Sequence, residues 1–164
     1  MKLLILSLIL FSTTVLGQKK ADQKLEFNGF AISPLEFFSE HHSFGVSISS
    51  DVSFRLKKNI FTVSAGFGEE FSIWNYGYNF LQVNLLYGRE IEIAPWFFTD
   101  ANIGAGLLRI KHEDSNSFSL GIPVQLQLRF KTGKRFSFGL RFQSNLNSER
   151  AIHTYGIVLQ WNRI

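Results

Sequence analysis

The chain contains no cysteine. If it is exported, it does so without disulfides, and its stability has to come from burial and hydrogen bonding. It also has little net charge: 17 Lys and Arg stand against 13 Asp and Glu, a formal +4. That excess is too mild to argue for a nucleic-acid partner. After the first residues no apolar run approaches the roughly 20 residues a membrane-spanning helix needs, which excludes a polytopic helical membrane protein. Nor does any 3.6-residue periodicity follow the N-terminal run, so helix is absent from the expected architecture.

The N-terminus is a separate unit. Met1-Lys2 supplies a positive start, an apolar run covers 3–16, and Gly17-Gln18 follows. This succession predicts a secretory signal peptide over 1–17, cleaved after Gly17. Position 18 is Gln rather than Cys, which closes the lipid-anchored export route. Residues 18–164 then form one domain with a net charge of +3 once Lys2 is removed, a length that suits a single core.

The remaining chain is dominated by a period of two. Eight strands are expected at 25–33, 44–56, 61–68, 80–88, 97–108, 118–130, 136–146 and 154–161. The clearest alternations run from Phe44 to Leu56 and from Phe118 to Phe130. The first strand alternates poorly, with Phe27 on one parity and Phe30 and Ile32 on the other, and Pro34 ends it. Polar turns at 57–59, 89–95 and 131–135 alternate with longer loops at 35–43, 69–79, 110–117 and 147–150. In the third turn Gly133 is placed to take φ > 0. The fold class is all-β, an eight-stranded antiparallel up-and-down barrel.

The polar face decides which side is outside. Solvated sheet surfaces carry Lys and Glu, yet within these strand limits from 44 onward the polar face holds neither. It is Ser, Thr, Gly, Asn and Gln with a few Asp and Arg, side chains suited to a narrow lumen. The apolar face carries no Asp, Glu, Lys or Arg, as a lipid-facing surface demands. Aromatics gather at both strand ends: Phe54, Phe61, Tyr87, Trp96, Phe97, Phe130, Phe136 and Trp161 on the turn side, Phe44, Phe67, Tyr78 and Phe118 on the loop side. Two such girdles match the interfaces of a transmembrane barrel. The mean hydropathy of +0.05 is compatible with a spanning barrel whose lumen is polar.

The last strand carries a family resemblance. Tyr155, Ile157, Leu159 and Trp161 alternate with Thr154, Gly156, Val158 and Gln160. The segment resembles the C-terminal insertion signal of bacterial outer-membrane barrels, with its positions on Thr154, Gly156, Leu159 and Trp161; here 162–164 follow the aromatic. The chain from residue 18 resembles the small eight-stranded OmpA/OmpX/OmpW-like barrels in pattern and strand count. That resemblance implies a monomer in the bacterial outer membrane, in contact with its lipid and lipopolysaccharide. It also implies recognition of the last strand by the barrel assembly machinery, and places the three turns in the periplasm and the loops outside. The implied role is non-enzymatic, in envelope structure or surface interaction. A porin-like transporter of small or hydrophobic solutes is the alternative, and a lipid A-modifying enzyme the second alternative.

Candidate chemistry is sparse. Asp51, Arg55, Asp100, Arg129 and Arg141, with Glu26 and Glu90, fall on the lumen face. They are expected to pair among Gln82, Asn84, Gln125, Gln127, Gln143 and Asn145, sealing the interior. Glu36, Glu40, His41, His42, His112, Glu113 and Asp114 are metal-ligand types in two loops, but their spacing matches no defined site. The lipid A deacylase family carries His-x-Ser-Asn in its seventh strand. Phe142-Gln143-Ser144-Asn145 has the Ser and Asn but Phe142 where the His belongs, and His153 lies a strand away, so no base is evident for Ser144. No catalytic, metal or cofactor-binding residue is assigned, and no cofactor is expected.

Overall fold

Alternation with period two gives each strand one apolar face, and antiparallel pairing in register sets those faces side by side. The computed structural model describes residues 24–40, 43–71, 77–112, 115–148 and 151–162. The expected leader at 1–17, together with 18–23, His41, His42, Trp74, Tyr76, Glu113, Asp114 and the side chain of His112, lies outside the described residues. The chain forms β1 (Glu26–Glu40), β2 (Ser43–Leu56), β3 (Asn59–Glu70), β4 (Asn79–Ala94), β5 (Phe97–His112), β6 (Ser115–Lys131), β7 (Phe136–Asn147) and β8 (Ile152–Asn162). Each strand is antiparallel to the next, and β1 also pairs with β8, from Gly29–Asn162 to Ser39–His153. The result is a closed eight-stranded all-β barrel.

Several strands outrun their apolar alternation. Pairing reaches Glu40–Ser43 between β1 and β2, and His112–Ser115 between β5 and β6. The loops expected at 35–43 and 110–117 are therefore mostly ladder. A ladder needs paired backbone groups, not apolar side chains, so polar residues such as Lys111 and Asn116 continue it. On the turn side β4 runs to Ala94 rather than stopping at 88.

Pro34 does not end β1; it sits in a bulge within it. Pairing with β2 passes from Ser33–Ser49 to Glu36–Ser47, and pairing with β8 slips by one at the same place. A residue without an N–H is tolerated where the ladder is already interrupted. The slip reverses parity, so Ala31 and Ser33 point inward before it, and Glu36, Phe38 and Glu40 after it. A second slip between Phe27 and Gly29 explains why Phe27 and Phe30, of opposite parity, both face outward. In β6 the β5 ladder lapses between Ile103–Val124 and Gly106–Gly121, the stretch that contains Pro123, where a ladder donor is missing.

The β2–β3 turn has φ = 59° at Lys57 and no positive φ at Lys58, the pattern of a two-residue hairpin turn left-handed only at its first central position. Gly133 does not take the expected positive φ. The β6–β7 connection is wide enough to turn without it, closing through Thr132 N–H to Phe136 O at 3.2 Å.

The outer surface is apolar through the middle of the strands, with Leu85 64% and Leu120 74% exposed. Aromatic pairs ring the turn side: Phe27–Phe54, Phe61–Tyr87, Trp96–Phe130, Phe97–Phe130 and Phe136–Trp161 lie 5.1–6.1 Å apart between ring centroids. On the loop side Phe37 contacts Phe44 and Tyr155, and Phe44 contacts Phe71. Tyr78, expected in that girdle, is instead 1% exposed inside the barrel. There it joins Phe38, Phe80, Leu108, Ile110 and Ile152 in an apolar cluster. Phe38 and Phe80 meet edge to face at 5.0 Å. Gly68 gives Phe80 its space, because a Cβ there would stand 2.5 Å from Phe80 Cζ.

Candidate functional site

The interior of the barrel holds nearly all of the buried charge, in two layers below the apolar cluster. In the middle layer Arg141, from β7, is 1% exposed. Its Nη1 lies 3.1 Å from Asp51 Oδ2 and donates to Ser49 Oγ at 2.9 Å. Its Nη2 donates to Ser64 Oγ at 3.1 Å and Gln143 Oε1 at 3.0 Å, and its Nε faces Glu36 Oε1 at 3.5 Å. Gln127 also donates to Asp51, and Ser47 to Glu36. One guanidinium thus ties β1, β2 and β3 to β7, and holds two buried carboxylates that would be costly to leave unpaired.

The turn-side layer is built on Arg129, from β6. Two of its nitrogens bind Asp100, and its Nη2 also reaches Glu90 Oε2 at 2.6 Å. The second Glu90 oxygen accepts from Arg55 Nη2 at 2.7 Å, and Arg55 Nε donates to Asn28 Oδ1 at 2.9 Å. Two cations and two carboxylates alternate here, so the layer is balanced. Between the two layers lies a void of only about 20 Å³, room for about one water molecule. Beyond Arg129 the lumen widens into a cavity of about 340 Å³ on the turn side.

The expected lumen residues Asp51, Arg55, Glu90, Asp100, Arg129 and Arg141 all meet in these layers, and Glu26 lines the cavity rim. Gln82, Asn84, Gln125, Gln127, Gln143 and Asn145 are buried beside them. Glu36 was expected in a loop with metal-ligand neighbours; the Pro34 bulge turns it into the lumen as a partner of Arg141. The only hint in the sequence is the proline itself. Lys111 and Lys131 lie in strand ends rather than in loops or turns. At the loop end of β5, Arg109 and Lys111 point outward, with Arg109 bonded to Asn116 and 6.0 Å from the Phe118 ring centre.

One pair on the outer face corrects an expectation. Ser144 and His153 are directly opposed on β7 and β8, and Ser144 Oγ lies 3.0 Å from His153 Nδ1. Ser144 therefore does have a base within reach. Among the described residues no carboxylate is bonded to that imidazole.

No family model matches the sequence, and no curated protein matches it either. Solved structures do match. Neisserial surface protein A superposes with a TM-score of 0.69 at 12% identity, over 84% of this chain and 97% of that one. Ail, the attachment invasion locus protein of Yersinia pestis, matches with a TM-score of 0.52 at 12% identity, over 85% and 99%. The outer membrane enzyme PagL matches with a TM-score of 0.54 at 14% identity, over 79% and 97%. At such identities the likeness concerns the fold, and the fold is that of the small eight-stranded outer-membrane barrels.

Proposed function

We propose that this barrel is an exported, integral outer-membrane protein without enzymatic activity, serving envelope structure or surface interaction rather than transport. The observation that carries the membrane reading is its polarity, with apolar residues outward between two aromatic girdles and ion pairs inward. The reading against transport rests on the filled lumen, where an apolar layer and two ion-paired layers follow one another along the axis. The leader at 1–17 is removed on export, the last strand is recognised by the barrel assembly machinery, and the mature monomer sits among outer-membrane lipid and lipopolysaccharide.

The test is fractionation followed by reconstitution. The protein should be found in the outer-membrane fraction, require detergent for extraction, and migrate differently on gels before and after heating. In planar bilayers it should produce no stepwise conductance, and in liposomes no solute uptake. Recovery as a detergent-free periplasmic protein would overturn the membrane reading, and steady conductance would favour the transporter.

A second reading rests on the Ser144–His153 contact. A serine bonded to an imidazole is the start of an acyl-transfer site, and this pair faces outward, where lipid would lie. The non-enzymatic reading is preferred because, among the described residues, no carboxylate orients the histidine. Its expected result is that expression leaves the acyl chains of lipid A unchanged by mass spectrometry. Loss of an acyl chain that disappears with Ser144→Ala would instead establish the enzyme.

A further inference from the structure

The turn-side cavity is a blind cup. Its volume is about 340 Å³, within the range of small-molecule sites, and its floor is the Arg129–Asp100–Glu90 layer. The roughly 20 Å³ void beneath that floor admits no larger solute. The strands wall the cup off from the outer face, so its occupant has to enter from water on the turn side.

Its charge is lopsided. Among the described residues, Arg55, Arg129, Lys131 and Lys134 line it together with Glu26 and Glu90. Both Glu90 oxygens are already bonded, one to Arg55 and one to Arg129. With Arg55 and Arg129 balanced by Glu90 and Asp100, Lys131 and Lys134 at the rim outnumber Glu26 and leave the mouth net positive. Lys131 Nζ lies 5.4 Å from the Phe98 ring centre, an attraction that holds the ammonium against the cup wall. Asn28, Ser137 and Asn162 add neutral hydrogen-bonding groups. A concave surface with a net positive charge within low-dielectric walls concentrates the field on its opening.

We propose that this cup binds a small, water-soluble polyanion bearing phosphate or several carboxylates, with Lys131 and Lys134 as its principal contacts. The inference goes beyond the structural role above, and it requires only the closed barrel.

Pyrophosphate and citrate, titrated into the folded protein in zwitterionic micelles and followed by amide NMR shifts, test it. The expected result is saturable shifts at Lys131, Ser137 and Asn162, with dissociation constants of about 1 mM or tighter. The double variant Lys131→Ser/Lys134→Ser should weaken binding at least about tenfold, the equivalent of about 1.4 kcal/mol. The variant Arg109→Ser/Lys111→Ser, at the opposite end, should leave it unchanged. An undisturbed amide spectrum in each variant verifies folding. Linear shifts without saturation, equal affinity in the two variants, or shifts centred on Arg109 and Lys111 would overturn the proposal. So would the same cup shifts appearing in phosphatidylglycerol nanodiscs without added anion, which would assign the site to a lipid headgroup.

Discussion

Replacing Arg141 with Met should lower the unfolding free energy of the barrel by about 3–5 kcal/mol, the cost of leaving a buried ion pair half removed. Methionine restores some of the lost volume but leaves Glu36 and Asp51 buried without their cation. It also strands the hydroxyls and the amide that the guanidinium engages on β2, β3 and β7, and unmet buried polar groups are costly in their own right. Urea titration in lipid vesicles, read by tryptophan fluorescence, measures the effect. The triple variant Arg141→Met/Glu36→Gln/Asp51→Asn should recover most of it, because neutral amides need no counter-charge. A single variant within about 1 kcal/mol of the wild type, well short of the figure for a broken buried pair, would show that the central layer does not hold the barrel together.

The second large effect separates a lipid-facing surface from a water-facing one. Leu85 lies midway along β4 and is 64% exposed. Leu85→Arg should cost about 2–4 kcal/mol in vesicles if that surface meets the bilayer midplane. An exposed position on a water-soluble barrel would change by only about 0.5 kcal/mol in either direction. Ile93, on the same strand near the turn side and 61% exposed, supplies the depth control. Ile93→Arg should cost about 0–1 kcal/mol, as expected near an interface. Equal, small effects at both positions would overturn the membrane assignment.

The strand count, the antiparallel order and the inward set from Asp51 to Asn145 were legible in the sequence, because period-two alternation reports facing directly wherever the ladder is regular. The misreadings fall where it is not. In β1 two slips turn parity over, so Glu36 and Phe38 were legible only as loop residues, and the Arg141 layer lost one of its carboxylates. Tyr78 was harder still: an aromatic near a strand end reads as girdle, yet it packs inside the barrel beside Phe38 and Phe80. The Ser144–His153 contact depends on the register of β7 against β8, which alternation within single strands does not specify.

The seam between β1 and β8 has a kinetic consequence. Its pairs join residues such as Gly29 and Asn162, separated by most of the chain, whereas every other hairpin forms between sequence neighbours. Loop-closure entropy makes this the slowest pairing to reach. Until it forms, the molecule is a curled sheet with two unsatisfied edges, the state most exposed to pairing with another chain. Closure is therefore expected as the last event of assembly, and it joins the bulged β1 to the regular β8. Changes at Pro34 should therefore register first in the rate of closure and in the yield of closed barrel, before they alter the stability of the finished one.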